Sequence, residues 1–133
     1  MRAGVPRNWT SGLEKWEGPD PAYWCERGYA VVNVDSRGAF TSEGDLLLLG
    51  REEAEDAAAF TTWTSKQDWC NGRVVFTGNS WLSIVQWKVA SLRPAGLAAI
   101  APWEGFQDLY RDHMCTGGAP FPGFVEMLEC KSN

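Results

Sequence analysis

Apolar residues fall along this chain in three short blocks, with two longer stretches of helical spacing between them. The blocks are YAVVNVD at residues 29–35, RVVFT at 73–77 and GLAAIA at 96–101. Each is short and almost uniformly apolar, and a glycine stands at or just before its start. Runs of this kind predict strands buried on both faces. Residues 51–69, REEAEDAAAFTTWTSKQDW, contain neither Gly nor Pro. Glu52, Glu53, Glu55 and Asp56 cluster in the first turns, where the helix dipole favours acids. Ala54, Ala57, Ala58 and Thr61 share one face, with Phe60 beside it. The pattern predicts a helix ending through Cys70-Asn71-Gly72.

Residues 81–92, WLSIVQWKVASL, predict a second helix, apolar almost all round and therefore buried on most sides. Pro94 and Gly96 stop it. Strand, helix, strand, helix, strand predicts an α/β fold built on a parallel sheet with flanking helices and right-handed crossovers. Outside this core, residues 1–27 read as a loop with one short helix near 21–26, where Asp20 is the N-cap and Pro21 the first helical residue. Residues 36–50 form a long connection, and long ordered connections are often functional. The chain from Trp103 onward reads as irregular.

Composition narrows the class. A length of 133 residues suits one domain or part of one, and 44% hydrophobic with 22% charged residues is a globular balance. The formal net charge is -5 and no basic cluster occurs, which argues against a nucleic-acid partner. No apolar run approaches the roughly 20 residues of a membrane span. The N-terminus, MRAGVPRNWTSG, has no apolar signal core, so a cytoplasmic chain is expected. The sequon Asn8-Trp9-Thr10 then reads as chance. Four cysteines at 25, 70, 115 and 130 fit neither a C-x-x-C pair nor a zinc site, so reduced thiols and no metal are expected. Eight tryptophans are many for this length. They suggest a core made to join something larger, or a pocket lined with aromatics.

Candidate chemistry lies in VVFTGNSWLS, residues 74–83. In α/β sheets active groups gather at the carboxyl ends of strands, and Ser80 stands just past the second one. Gly78 allows strand and helix to approach closely. A serine on such a turn exposes its hydroxyl, and the N–H of the next residue, Trp81, can donate to an oxyanion. G-x-S alone is a weak signal, since serine in a βα loop is commonly a helix N-cap. The strand before and the helix after strengthen the catalytic alternative.

Four blocks carry a resemblance: residues 28–45 (GYAVVNVDSRGAFTSEGD), 52–63 (EEAEDAAAFTTW), 69–87 (WCNGRVVFTGNSWLSIVQW) and 97–112 (LAAIAPWEGFQDLYRD). In order and spacing this chain resembles the cocaine esterase and X-Pro dipeptidyl-peptidase (CocE/NonD) family of α/β-hydrolases. The resemblance implies that Ser80 is the nucleophile and that the Trp81 N–H is half of the oxyanion hole. It also implies a partial α/β-hydrolase domain, with N-terminal strands and the acid and histidine region lying outside residues 1–133. A strand from outside would stand between the blocks at 29–35 and 73–77. Two departures stand out: Ser83 occupies a position where the family usually has glycine, and Trp81 replaces a commoner tyrosine.

A Ser80–Asp108–His113 triad is tempting, because His113 is the one histidine. It is rejected, because this fold draws acid and histidine from the ends of two different later strands. Arg37 and Glu43 read as loop-bracing residues, Asp35 as the cap of the following turn, and Trp103-Glu104 as a border of the acyl pocket. The expected function is a serine hydrolase acting on ester or amide bonds through an acyl-enzyme, with a small ester or peptide as substrate and no cofactor. The alternative is a non-catalytic remnant or interaction module of the same fold.

Overall fold

The computed structural model describes residues 6–47, 49–123 and 126. Two strands, β1 (Val74–Asn79) and β2 (Leu97–Trp103), form a parallel sheet, with Val75 beside Ala99 and Asn79 beside Trp103. Helices α1 (Pro21–Cys25), α2 (Arg51–Thr64) and α3 (Trp81–Leu92) accompany them. Helix α3 is the crossover and packs on both strands, while α2 packs on α3. Short turns at Arg7–Trp9, Leu109–Met114 and Thr116–Gly118 complete the regular structure.

The α1 start follows the sequence pattern closely. Asp20 caps it, accepting hydrogen bonds from Ala22 N–H at 3.0 Å, Ser11 N–H at 2.7 Å and the Ser11 hydroxyl at 2.6 Å. These donors hold the Asp20 carboxyl below its usual range, the Ser11 hydroxyl contributing most.

Helix α2 ends at Thr64, well before the expected stop at Cys70. Its last turns hold Thr61, Thr62 and Thr64. The hydroxyls of Thr61 and Thr62 bond back to the carbonyls of Ala57 and Ala58. Such branched, self-bonding residues hold a helix poorly. Beyond Ser65 the backbone turns tighten: Lys66 N–H donates to Trp63 O, Gln67 N–H to Thr64 O, and Cys70 N–H to Gln67 O.

The expected strand at residues 29–35 is a correction. The segment carries no ladder, and Tyr29, Val32 and Val34 are exposed. β-residues make a strand only when a neighbour takes up their backbone groups. Here the sheet has two strands among the described residues, and the apolar block is paired to neither.

Asp35 and Arg37 also differ in detail from expectation. The turn after Asp35 is closed by the backbone, Ala39 N–H donating to Ser36 O, while the Asp35 carbonyl accepts from the Ser42 hydroxyl. Arg37 braces the connection through a two-pronged ion pair with Asp56 on α2. That guanidinium holds the Asp56 carboxyl below its ordinary range. Glu43 contributes its backbone carbonyl, which accepts from Gly38 N–H.

The sheet presents one open edge on each side. Val74 N–H and Ser80 N–H both donate toward β2, to Gly96 O and Trp103 O. By the two-residue repeat of a strand, the N–H groups of Val75 and Thr77 therefore point to the opposite edge. Helix α3 also bonds to β2 through a side chain. Gln86 on α3, fully buried, accepts from Ala101 N–H at 3.0 Å and donates to Leu82 O at 3.0 Å. Replacing it by leucine keeps the volume and removes both bonds. Gln86→Leu is expected to cost about 1–3 kcal/mol, two hydrogen bonds at roughly 0.5–1.5 kcal/mol each, read by urea unfolding.

Among the described residues, Cys25, Cys70 and Cys115 are free thiols; Cys130 lies outside them. No described helix is long and apolar enough to cross a membrane, and no described cluster of His, Cys, Asp and Glu could hold a metal.

Candidate active site

β1 runs two residues further than the sequence pattern suggests, through Gly78 and Asn79, and delivers Ser80 directly onto the first turn of α3. Gly78 is buried at φ 155°. A Cβ there would stand 2.6 Å from the Leu82 Cβ, so only glycine lets the helix start this close to the strand. Ser80 itself sits at φ 54°, ψ -117°, a combination that costs a non-glycine residue of order 1–3 kcal/mol.

The surroundings hold that strain. Ser80 N–H donates to Trp103 O at 2.9 Å, tying the turn to the end of β2. Asn79 N–H donates to Glu17 O at 3.0 Å, tying it to the N-terminal loop on the other side. The Ser80 carbonyl accepts from Ser83 and Ile84 N–H, which begins the α3 ladder. The N–H groups of Trp81 and Leu82 come before that ladder, at the positive end of the helix.

Ser80 occupies the N-cap position, yet its side chain makes no capping hydrogen bond. The N-cap alternative weighed from sequence therefore fails here. The hydroxyl is left at the carboxyl end of the sheet beside two outward N–H groups. That arrangement can present a nucleophilic oxygen and receive negative charge near it.

The other sequence candidates lie as follows. His113 stacks on Phe106, ring centroids 5.1 Å apart and 16° from parallel. Both Asp108 oxygens are occupied by Arg111, by its backbone N–H and by its guanidinium, each at 2.9 Å. Those contacts, the backbone one foremost, hold the Asp108 carboxyl below its usual range. Asp108 is thus a turn cap. Trp103 lies beside the turn and is 60% exposed, and Glu104 follows it at φ 49°.

The serine at position 83 has a structural counterpart that sequence reading missed. Ser83 is fully buried, and its hydroxyl has no hydrogen-bond partner among the described residues. A Cβ built on Gly105 would overlap that hydroxyl. The loop after β2 can cross the start of α3 because one of the two facing positions is glycine. Gly105→Ala is expected to destabilise the chain by about 1–3 kcal/mol, as overpacking does. Ser83→Gly should relieve it, so the double variant should be more stable than the sum of the singles by about 1 kcal/mol. Thermal unfolding of the four proteins checks this. Additive effects would show that the two positions do not meet.

A parallel β–α–β unit with a serine held at strained φ and ψ on the strand-to-helix turn defines the α/β-hydrolase class. The chain belongs to the X-Pro dipeptidyl-peptidase (S15) family, whose profile matches residues 3–129. It is 45% identical to the cocaine esterase of Rhodococcus sp. (strain MB1 Bresler) over 84 residues, 63% of this chain and 14% of that protein. It is 32% identical to the Xaa-Pro dipeptidyl-peptidase of Lactobacillus helveticus over 112 residues, 68% of this chain and 14% of that one. A crystal structure of a CocE/NonD family hydrolase from Staphylococcus aureus superposes with a TM-score of 0.81 at 41% identity, covering 90% of this chain and 21% of that one. The chain thus spans about one-seventh of the length of these curated relatives.

Proposed function

We propose that this chain supplies the nucleophile and half of the oxyanion hole of a serine hydrolase acting on ester or amide bonds. The observation that carries the reading is Ser80 at φ 54°, ψ -117°, uncapped, between β1 and α3. The names of the relatives, an esterase and a dipeptidyl-peptidase, support acyl substrates.

The Ser80 hydroxyl attacks the acyl carbonyl and gives up its proton to a base. On this reading that base, and the acid that orients it, come from segments outside residues 1–133, as the family resemblance implies. Negative charge collects on the carbonyl oxygen, and the Trp81 N–H donates to it. The dipole of α3 favours the same charge. The alcohol or amine leaves, and water then cleaves the acyl-enzyme. Trp103, beside the turn, borders the acyl group.

A fluorophosphonate probe tests the assignment, because it reacts with a serine activated by a base and not with an isolated cap serine. The suitable protein is a hybrid in which this chain replaces the matched segment of the Staphylococcus aureus hydrolase. Peptide mapping should find the adduct on Ser80. A folded hybrid that is unlabelled, or labelled on another serine, would move this chain to the non-catalytic class.

A further inference from the structure

We propose that Glu53 is a positioning residue for the oxyanion hole, acting through the side chain of Trp81; this rests on the Ser80 and Trp81 reading above. Three separate segments converge on the one carboxylate. The indole N–H of Trp81 donates to Glu53 Oε1 at 3.1 Å. The Ser36 hydroxyl donates to the same oxygen at 3.3 Å. The backbone N–H of Leu49 donates to Oε2 at 2.9 Å.

Each of these contacts fixes something the site needs. Trp81 is the first residue of α3, and its backbone N–H is the proposed oxyanion donor. A peptide at a helix start is bonded to the helix only through its carbonyl, so its N–H is the least restrained part. Anchoring the indole of the same residue restrains that peptide from the side-chain end. Leu49 stands at φ 54°, unfavourable for leucine, and its two polar groups are both held. Glu53 takes its N–H, and the Lys88 ammonium donates to its carbonyl. Lys88 lies two helical turns after Trp81, so both are on the same side of α3. The start of α2 is thereby fastened to α3 at two points, Trp81 and Lys88.

Ser36 connects the third segment. Its neighbour Arg37 grips Asp56, one turn beyond Glu53 on α2. The long connection, α2 and the serine turn therefore form one braced unit with Glu53 at its centre. An acid three residues into a helix would ordinarily face solvent near the dipole. Glu53 is instead half-buried and takes charge-assisted hydrogen bonds, which are about twice as strong as neutral ones.

Two measurements test the proposal. In the 133-residue chain, the Trp81 indole N–H resonance, assigned by its loss in Trp81→Phe, should move clearly in Glu53→Ala and only slightly in Glu53→Gln. The glutamine oxygen can still accept from the indole. In the hybrid hydrolase, Glu53→Ala and Trp81→Phe should each lower kcat by about tenfold, less than the ~10²–10³ lost when an oxyanion donor is deleted. KM should stay within about twofold, the signature of an interaction made in the transition state. The double variant should be no worse than the poorer single, and Glu53→Gln should recover most of kcat. A merely structural role of Glu53 would lower stability without this split or this rescue. An unmoved indole resonance, or single effects that multiply in the double variant, would overturn Glu53 as the anchor of Trp81. A moved resonance in a hybrid that keeps full activity without Ser80 would instead overturn the nucleophile reading, and with it the catalytic use of this contact.

Discussion

Ser80→Ala in the hybrid hydrolase is expected to lower kcat by at least about 10³-fold, some 4 kcal/mol in barrier height. The size follows from what the hydroxyl does. In the proposed reaction it forms the covalent bond to the acyl group, and neither neighbouring serine is placed to replace it. Ser83, three residues on, is fully buried and faced by Gly105. Ser42 donates its hydroxyl to the Asp35 carbonyl in the connection before α2. Neither offers a second nucleophile. What remains without Ser80 is catalysis by binding and the oxyanion hole alone. The fold should be spared. The Ser80 side chain makes no capping bond, so alanine removes no hydrogen bond, and the strained backbone is held by Trp103 O and the α3 ladder in either case. Steady-state ester hydrolysis and a thermal melt, measured together, check both halves. Wild-type activity in a folded Ser80→Ala hybrid would end the nucleophile assignment.

The second large effect concerns the chain alone. Residues 1–133 by themselves are expected to hydrolyse a p-nitrophenyl ester far below ~1 s⁻¹, the low end of ordinary enzyme turnover. A serine hydroxyl without its base is a poor nucleophile. The one histidine is not expected to supply that base. His113 stacks on Phe106, and Asp108, the acid that would orient it, is held by Arg111. The corollary is that His113→Ala in the hybrid should leave most activity in place. Turnover near ~1 s⁻¹ by the chain alone, abolished by either Ser80→Ala or His113→Ala, would show that the base lies within these residues.

Some of this protein was legible from residue pattern alone. The β-branched run before Gly78 and the short apolar run after Gly96 form strands, the first because its side chains suit a pleated surface. Residues 81–92 form α3 to the residue, because a glycine and serine turn precedes them, and Pro94, which also disfavours a helical Arg93, and Gly96 stop the helix. Asp20 before Pro21 makes the α1 start for purely local reasons. Ser80 could be singled out because strand, glycine, serine and helix stand within a few residues, and that geometry is local as well.

Tertiary structure decided the rest. The block at residues 29–35 has the composition of a strand and is not one here, because pairing is a property of neighbours and not of the segment. Whether Ser80 caps its helix or stands free of that bond was open in the sequence. The dihedral angles forced by the approach of β1 to α3 settled it. Gln86 reads as one more helical residue until its amide meets the backbone of Ala101 on β2. Glu53 reads as one acid among four, favoured by the α2 dipole. Only the folding of α2 against α3 brings it within 3.1 Å of the Trp81 indole, 28 residues away, because long-range contacts between side chains follow from packing and leave no trace in local spacing.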